Sequence, residues 1–254
     1  MKDNIEDNIA ISLNGVDVSL TKTPILFDIN INIKRGSIYG LLGPSGAGKT
    51  TTVKVVAGII ESEKGETNIL GITMPNLTQM ANIGYMAQSD ALYEDLTGYE
   101  NLEFFGELYG MKKKELKERI GYALGLVNLL DDAKKVVSKY SGGMKRRLAL
   151  AAAVLHNPDI LILDEPTVGI DPLLRKEIWD ELYKICEQGT TILVTTHVMD
   201  EAEKCHKLAM MRNGRVIGEG TPQELVEQCH VKTLEEAFLK LSVEQNEGAI
   251  NHEN

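Results

Sequence analysis

The chain has 254 residues, of which 43% are hydrophobic, so it can bury a sizeable core and is not expected to be disordered. Its formal net charge of −10 argues against the basic surface that nucleic-acid binding needs, and we expect no nucleic-acid partner. No stretch approaches the roughly 18 apolar residues of a membrane span. The three cysteines, Cys186, Cys205 and Cys229, lack the spacing of a disulfide framework or a zinc site. Both observations favour a cytosolic location.

Strands are predicted in the first part of the chain. Strand-like apolar segments cover Ile9–Val18 and Ile29–Ile33, and Ser37–Leu42 has the composition of a buried strand. Shortly after it, Thr51–Ala57 predicts a helix. The glycine-rich segment Gly43–Thr50 lies between this strand and this helix, which is the context of a phosphate-binding loop.

The segment from Gly43 to Thr50 fits the pattern G-x-x-x-x-G-K-[ST]. Glycines let successive backbone N–H groups point into one concavity, and the following helix adds the positive end of its dipole. Lys49 would reach the β- and γ-phosphates of a nucleotide, and the Thr50 hydroxyl would bind Mg²⁺. The predicted nucleotide contacts here are Gly43, Pro44, Ser45, Gly46, Ala47, Gly48, Lys49, Thr50 and Thr51.

The middle of the chain changes from strand periodicity to helix periodicity. Strand signals continue at Gly65–Leu70 and Ile83–Ala87, but after about Thr97 apolar residues recur at helical spacing, from Leu102 to Leu130. We therefore expect a helical subdomain at about residues 89–155, inserted between two α/β halves.

Two acids follow a strand further along the chain. Ile160–Leu163 is entirely apolar, as in a strand buried on both faces of a parallel sheet, and Asp164 and Glu165 come directly after it. Ligands bind at the carboxyl ends of such strands, so both acids are expected at the crevice that holds the phosphates. Asp164 suits the shell of Mg²⁺, and Glu165 suits orienting or deprotonating an attacking water. The alternative is a solvated pair of loop acids.

A second anion site is predicted at Ser141-Gly142-Gly143, directly before a helix that runs to Leu155. Serine and glycine leave bare N–H groups at a helix N-terminus, where the dipole favours negative charge. The same pattern also fits an ordinary N-cap and turn. Its position 23 residues before Asp164, with a helix between, favours the anion site.

The last third of the chain is predicted to return to α/β structure. Thr190–Thr195 and Leu208–Met211 are apolar strand segments. Residues 242–254 have acids and amides but no Lys or Arg, and we expect a flexible tail there. The folded domain is thus expected to cover residues 1–241.

These motifs resemble, in order and spacing, those of the ATP-binding cassette (ABC) ATPases, the nucleotide-binding subunits of membrane transporters. The resemblance covers nearly the whole chain. The matching segments are Gly43–Thr50 for the Walker A loop, Gln88 for the Q-loop, Ser141–Gly143 for the signature, Asp164 and Glu165 for Walker B and the catalytic glutamate, Gly169–Asp171 for the D-loop, and His197 for the switch histidine.

The resemblance implies a fold, ligands and a mechanism. The implied fold is an α/β P-loop NTPase core with a mostly parallel sheet, an N-terminal antiparallel β subdomain and an inserted α-helical subdomain. ATP and Mg²⁺ would be the ligands, and His197 would contact the γ-phosphate while Glu165 polarises the water. The implied catalytic residues are Lys49, Glu165 and His197, and the implied metal ligands are Thr50, Gln88 and Asp164.

Two kinds of partner are also implied. A second ATPase subunit, identical or different, would face this one head to tail, so that Ser141–Gly143 of one closes over the γ-phosphate held by Lys49 of the other, with Asp171 also at the nucleotide. A transmembrane permease would contact the region around Gln88–Tyr109 and keep the chain at the inner face of the cell membrane.

Aromatic residues concentrate near the expected permease contact. Six of the thirteen aromatics lie between Tyr85 and Tyr109, and aromatics are enriched at protein interfaces. The alternative is that they form the core of the helical subdomain. We expect Phe105 and Tyr109 in the core, and Tyr93 and Tyr99 at the partner.

The sequence departs from the family pattern at two positions. Leu20 stands where the family usually has an aromatic that stacks on adenine, and no Tyr, Trp, Phe or His occurs from Met1 to Leu26. The contact to adenine is therefore open. Met144 replaces the commoner signature glutamine, which should matter less because backbone N–H groups make the phosphate contacts.

Within the family, the segments Tyr93–Thr97, Glu100–Leu102 and Met144–Arg147 resemble ATPases of bacterial type-2 exporters, which move drugs, antibiotics, lipids or polysaccharides. Only 57 residues follow His197, too few for the regulatory domain that many importer ATPases append. Export is therefore favoured, with an importer ATPase as the alternative.

Non-transport ATPases fit the sequence less well. The translation-factor class of the family would carry two cassettes and a basic linker, whereas this chain is acidic and has one. A chromosome-maintenance ATPase would place a long coiled coil between Gln88 and Ser141, which are only 53 positions apart. A plain P-loop kinase needs neither the Ser-Gly-Gly helix nor His197.

Overall fold

The computed structural model describes residues 8–88 and 91–250, with the backbone alone at 246–250. The described residues form two compact units. The first comprises the residues up to Asn76 together with those from Leu193 onward, and the second comprises Leu77–Ile192. The predicted α/β class is confirmed, with an antiparallel N-terminal sheet and a mostly parallel second sheet.

The first unit contains both antiparallel and parallel strand pairs. Its elements are β1 (Ile9–Leu20), β2 (Thr23–Lys34), β3 (Ile38–Leu42), α1 (Lys49–Val56), β4 (Lys64–Ile69), β5 (Ile72–Thr73), the Leu193–Thr196 part of β8 (Thr191–Thr196), α7 (Met199–Ala202), β9 (Lys207–Arg212), β10 (Arg215–Gly220), α8 (Pro222–Gln228) and α9 (Leu234–Ile250).

The antiparallel sheet has the strand order β2-β1-β4-β5. Apolar residues alternate with polar ones along β1 and β2, so that one face is buried, and Leu13 pairs with Ile31. The register shifts between Leu13 and Val16, where Gly15 has a φ of +62° and forms a β-bulge. This sheet is the antiparallel subdomain that the family resemblance implied.

The second sheet of this unit has the order β10-β9-β3-β8. All five residues of β3 are buried, which explains its unbroken apolar sequence, and β3 runs parallel to β9. A hairpin joins β9 to β10 through Asn213 and Gly214, both with positive φ. We did not predict β10, although the Asn-Gly dipeptide is a strong hairpin signal.

Helix α9 continues past the position at which we expected a flexible tail. Leu234, Ala237 and Leu241 pack on a core cluster that includes Leu208. Ser242 is buried, and its carbonyl oxygen accepts a hydrogen bond from Arg212 Nη1 at 2.8 Å. The i, i+3, i+7 spacing of these apolar residues holds the helix on the core. The flexible tail expected at residues 242–254 stays a prediction, and residues 251–254 lie outside the described part of the chain.

The second unit contains the predicted helical segment and the strand that ends in the two acids. Its elements are α2 (Leu77–Met80), β6 (Ile83–Met86), α3 (Gly98–Leu108), α4 (Lys113–Leu126), α5 (Gly142–Val154), β7 (Ile160–Asp164), α6 (Pro172–Glu187) and the first two residues of β8. The strand order is β8-β7-β6, and β6 and β7 are parallel.

Helix α3 begins where the sequence pattern changes period. The Thr97 hydroxyl oxygen accepts a hydrogen bond from the Glu100 N–H at 3.2 Å, and Glu100 Oε2 accepts one from the Thr97 N–H at 2.8 Å. This capping box satisfies two N–H groups that the first turn leaves without partners. It fixes the start of the helical segment.

The three cysteines are buried and form no disulfide. Burial, with a smaller contribution from the Glu201 charge, raises the pKa of the Cys205 thiol to about 12. Cys229 belongs to the apolar cluster under α9. The cysteines therefore serve as small apolar side chains.

Candidate active site

The glycine loop joins β3 to α1 in the first unit. Gly46 and Gly48 have φ values of +80° and +102°, in the region that glycine adopts without strain. A Cβ at Gly43 would lie 2.3 Å from the carbonyl oxygen of Met211, and one at Gly48 would lie 2.6 Å from Cδ2 of Leu26. Packing therefore requires glycine at Gly43, and both packing and conformation favour it at Gly48.

Helix α1 starts without a side-chain cap. Its N-cap residue is Gly48, and no side chain accepts a hydrogen bond from the first turn. The N–H groups of that turn project beyond the helix end and carry the positive end of its dipole. This is the backbone chemistry that binds a phosphate group.

Lys49 places a cation inside this loop. Its side chain is only 5% exposed, and Nζ donates to the carbonyl oxygens of Gly43 at 2.7 Å and Pro44 at 3.1 Å. These bonds compensate the burial of the charge and hold the ammonium group against the loop. The loop can therefore offer both backbone N–H groups and a positive charge to an anion.

His197 lies beside the same loop. The N–H of Gly43 donates to the carbonyl oxygen of Thr196 at 3.3 Å. The Thr196 hydroxyl donates to Oε2 of the buried Glu201 at 2.7 Å and accepts from the Val198 N–H at 3.0 Å. These bonds fix the turn that carries the exposed His197, so the first unit brings two motifs together that are far apart in the sequence.

Leu20 is the last residue of β1 in the first unit. Thr21 and Lys22 follow it with positive φ and form the turn into β2. The Leu20 side chain is 40% exposed. An aliphatic side chain thus stands at the position where the family resemblance suggests a stacking ring.

Asp164 ends the buried strand β7 in the second unit, and Glu165 follows it directly. The Asp164 side chain is fully buried, and desolvation followed by the Asp164 charge raises the pKa of Tyr85 to about 12. Glu165 has a φ of +53°, which is uncommon for a residue with a Cβ and persists only where contacts hold it. The Arg146 guanidinium supplies such contacts, because it donates to the carbonyl oxygens of both acids.

The same guanidinium reaches the Gln88 segment. Arg146 Nη1 donates to the carbonyl oxygens of Ala87 at 2.8 Å and Gln88 at 2.9 Å. The Gln88 side chain is exposed, and the next two residues lie outside the described part of the chain. We did not predict Arg146 as a site residue, because nothing in the run Lys145-Arg146-Arg147 distinguishes it from its neighbours before burial is known.

The signature segment begins α5 in the second unit. Ser141 Oγ accepts a hydrogen bond from the Met144 N–H at 3.2 Å, so the serine acts as an N-cap. Gly142 is exposed, and a Cβ there would meet no atom within 4 Å. A Cβ on Gly143 would lie 3.4 Å from the Gly169 carbonyl oxygen, so the signature and D-loop segments are neighbours. The anion-binding role of Ser141–Gly143 stays a prediction.

Asp171 caps the helix that follows the D-loop. Its Oδ1 accepts a hydrogen bond from the Leu174 N–H at 3.0 Å, and Pro172 occupies the first turn of α6. The structure thus gives Asp171 a local role, and its contact with nucleotide stays a prediction.

The second unit contains an apolar groove of about 230 Å³. Part of its lining comes from residues just before and shortly after Gln88 along the chain. Tyr109, which we expected in the core, is 39% exposed, and its ring stacks on His156 with centroids 3.6 Å apart. Burial lowers the pKa of His156 to about 4, so the ring is neutral at pH 7. Tyr93 is exposed and packs on Phe104. The groove is lined by Tyr85, Met86, Ala87, Ala91, Leu92, Phe105, Tyr109, Ala149, Ala152 and Ala153.

The described residues also bear on a divalent metal. No group of three His, Cys, Asp or Glu side chains that could hold a metal ion occurs among them. The predicted donors are a hydroxyl at Thr50, an amide at Gln88 and a carboxylate at Asp164, all of which offer oxygen. This donor set fits Mg²⁺, which binds few protein ligands and keeps oxygens of substrate and water.

Sequence comparisons place the chain among transporter ATPases. A family model described as ABC transporter matches residues 26–168. The probable multidrug ABC transporter ATP-binding protein YbhF of Escherichia coli K12 is 41% identical over 220 residues, which are 84% of this chain and 38% of that protein. The Nod factor export ATP-binding protein I of Paraburkholderia xenovorans is 40% identical over 220 residues, covering 85% and 72%. The linearmycin resistance ATP-binding protein LnrL of Bacillus subtilis is 38% identical over 229 residues, covering 86% and 74%.

Solved structures agree with these relatives. The ATP-binding subunit of an ABC transporter has a TM-score of 0.85 and 28% identity, and the match covers 92% of this chain and 99% of that one. The ATP-binding cassette MJ0796, solved as a dimer in a post-hydrolysis state with ADP and Pi, has a TM-score of 0.77 and 28% identity over 83% of this chain and 98% of that one.

Proposed function

The chain belongs to the ATP-binding cassette (ABC) transporter family, and from this premise we propose that it binds and hydrolyses ATP as the nucleotide-binding subunit of a membrane transporter. The glycine loop before α1 carries the proposal. It combines an uncapped helix N-terminus with the buried Lys49 ammonium group, and His197 lies beside it. A triphosphate needs these groups in one place.

The triphosphate of ATP would bind to the loop and the first turn of α1. Backbone N–H groups would contact the phosphate oxygens, and Lys49 would offset the charge on the β- and γ-phosphates. The residues assigned to this contact are Gly43, Pro44, Ser45, Gly46, Ala47, Gly48, Lys49, Thr50 and Thr51.

Thr50, Gln88 and Asp164 would hold Mg²⁺ through oxygen atoms. When bound, the metal offsets charge that develops on the phosphates during transfer. The buried position of Asp164 at the end of β7 suits this role, since a buried carboxylate needs a cation or hydrogen bonds as compensation.

We assign the hydrolytic step to Glu165 and His197. A water oxygen attacks the γ-phosphorus, its proton passes to the Glu165 carboxylate, and the bond to the bridging oxygen breaks to release ADP and phosphate. His197 would donate a hydrogen bond to the γ-phosphate. The φ of +53° at Glu165 supports this assignment, because unfavourable backbone conformations concentrate at functional sites.

A second ABC ATPase subunit would complete the site. Ser141, Gly142 and Gly143 present a second helix N-terminus, which would close over the γ-phosphate bound to the other subunit, with Asp171 at the same seam. The dimer of the similar cassette MJ0796 supports this arrangement.

The permease partner would bind in the apolar groove beside Gln88. The groove is lined by alanines and aromatic rings, which suits an apolar helix end. No helix in the described ranges is long and apolar enough to cross a membrane. We therefore infer that the chain works at the cytoplasmic face of the membrane and is held there by its permease.

Export is the direction that we propose. Three relatives are named for multidrug transport, Nod factor export and linearmycin resistance. The chain spans 38% of the first of them and about three quarters of the others. An exported drug, antibiotic or lipid-like compound is the substrate class that these relatives favour.

Substitution of Lys49 tests the nucleotide site. Lys49→Ala should weaken MgATP binding by at least about tenfold, because it removes a buried charge-assisted contact. Lys54→Ala, on the same helix but outside the loop, is the matched control. Calorimetry measures binding, and phosphate release measures hydrolysis. No MgATP binding by the parent, or equal binding by Lys49→Ala, would contradict the proposed function.

A further inference from the structure

One buried arginine joins the segments that carry the assigned acids and Gln88. Arg146 lies in α5 and is 7% exposed. Nη1 donates to the carbonyl oxygens of Ala87 at 2.8 Å and Gln88 at 2.9 Å. Nη2 donates to the carbonyl oxygen of Glu165 at 2.6 Å and to that of Asp164. One guanidinium group therefore binds four main-chain carbonyls from two segments.

This arrangement needs the chemistry of arginine. A guanidinium group is planar and directs its donors in a fixed fork, whereas a lysine ammonium group is a single point of charge that cannot reach both segments in the same way. Hydrogen bonds from a charged donor are shorter and stronger than neutral ones, and burial excludes competing water. Arg146 thus fixes the distance between the Gln88 and Glu165 main chains.

The contact at Glu165 has a specific consequence. The left-handed φ of this residue sets the direction in which its side chain leaves the backbone. Arg146 holds the carbonyl group of that same residue. Loss of the guanidinium group would release the turn, and the Glu165 carboxylate would lose its fixed direction.

We propose that Arg146 is a positioning residue for ATP hydrolysis, which orients Glu165 and ties it to the Gln88 segment. The proposal rests on the proposed function. Arg146 belongs to the helix that begins with Ser141–Gly143, so a movement of the signature helix changes the carbonyl contacts of Glu165 and Gln88 together. It touches main-chain atoms of these residues and acts on the reaction through them.

The neighbouring Arg147 provides a matched control. Its Nη1 donates to the carbonyl oxygens of Val127 and Asn128, both at 3.0 Å, after the end of α4. It is the same residue type on the same helix and also binds two carbonyls. Its contacts reach neither of the assigned acids nor Gln88.

The test compares Arg146→Lys, Arg146→Gln and Arg146→Ala with Arg147→Lys and Arg147→Ala. Turnover, KM and MgATP affinity are measured below the unfolding midpoint of each variant, with and without added methylguanidinium. The three Arg146 variants should lose about tenfold or more in kcat, and MgATP affinity should fall by a smaller factor, because Arg146 contacts the main chain of Gln88 and Asp164 and the phosphate loop is untouched. Methylguanidinium should restore part of the turnover of Arg146→Ala, and both Arg147 variants should turn over like the parent.

The outcomes separate this proposal from the proposed function. A parent that does not hydrolyse ATP would overturn both. An active parent with Arg146 variants that match it in kcat, or that lose no more than the Arg147 variants, would overturn the positioning role alone. Unfolding of all three Arg146 variants under assay conditions, or a loss in kcat without rescue by methylguanidinium, would show a structural role and also overturn it.

Discussion

Glu165 can be tested apart from its backbone, because glutamine keeps its size and leaves the Arg146 contact to the main chain in place. Glu165→Gln should lower turnover by about 10²–10⁴-fold, the range for removal of a positioned general base, and should leave ATP binding intact. The variant should accumulate with ATP bound. Phosphate release and nucleotide binding are the measurements, and Glu177→Gln on the exposed part of α6 is the control. Hydrolysis at the parent rate would show that another group takes the proton.

Substitution of Leu20 tests how the base of the nucleotide is recognised. Without a ring at this position, phosphate and metal contacts should carry most of the binding, so the chain should discriminate weakly between ATP and GTP. Leu20→Tyr should strengthen ATP binding by roughly 0.5–1.5 kcal/mol, the range for an added stacking contact. Calorimetry with both nucleotides measures this. Unchanged ATP affinity would mean that a different residue covers the adenine.

At the scale of elements, the end of α5 carries a pH-dependent contact. His156 follows α5 and stacks on Tyr109 after α3, and burial lowers its pKa from 6.5 to about 4. The unfolded chain therefore binds more protons than the folded one between these values. The contribution of the neutral ring is complete above about pH 6.5 and is lost as the pH falls towards 4.

His156→Phe should remove this dependence while it keeps the stacked ring. Between pH 7 and pH 5 the parent should lose about 1 kcal/mol more free energy of unfolding than the variant, a value reduced for the part of the ring that solvent screens. Urea unfolding at both pH values gives the difference. Identical pH profiles would show that the His156 ring titrates normally in the folded chain.

At the scale of the whole molecule, the proposed site is divided between two subunits. Specific ATPase activity should therefore rise with protein concentration until dimers saturate. Ser141→Arg would place a bulky charge in the dimer seam, so nucleotide binding should persist and hydrolysis should fall towards background. Ser138→Arg, an exposed serine just before the signature, is the control for an added charge.

Specific activity across dilutions, measured beside the oligomeric state, decides this point. The paired-subunit proposal fails if specific activity stays constant down to demonstrable monomer and Ser141→Arg is fully active. A loss of activity in Ser138→Arg equal to that in Ser141→Arg would assign the effect to charge alone.

Several features could be predicted from contiguous residues. The strand, loop and helix around Lys49, the strand that ends at Asp164, and the helix that follows Ser141 are all present in the structure. Each depends on local chemistry, in which a few neighbouring side chains set the backbone conformation. The hairpin at Asn213-Gly214 is of the same kind, and its omission was a missed signal.

The sequence by itself determined the family and the order of the motifs, because glycine spacing, buried strands and helix caps depend on residues that are adjacent along the chain. Only the tertiary structure decided that Arg146 binds carbonyls 58 and 19 positions away, and that the carbonyl oxygen of Thr196 meets the N–H of Gly43. The tertiary structure also shows that α9 continues beyond Ser242. These features join residues that are distant along the chain, and a main-chain carbonyl has the same chemistry at every position, so the residue that will bind it cannot be recognised until the fold brings the two together.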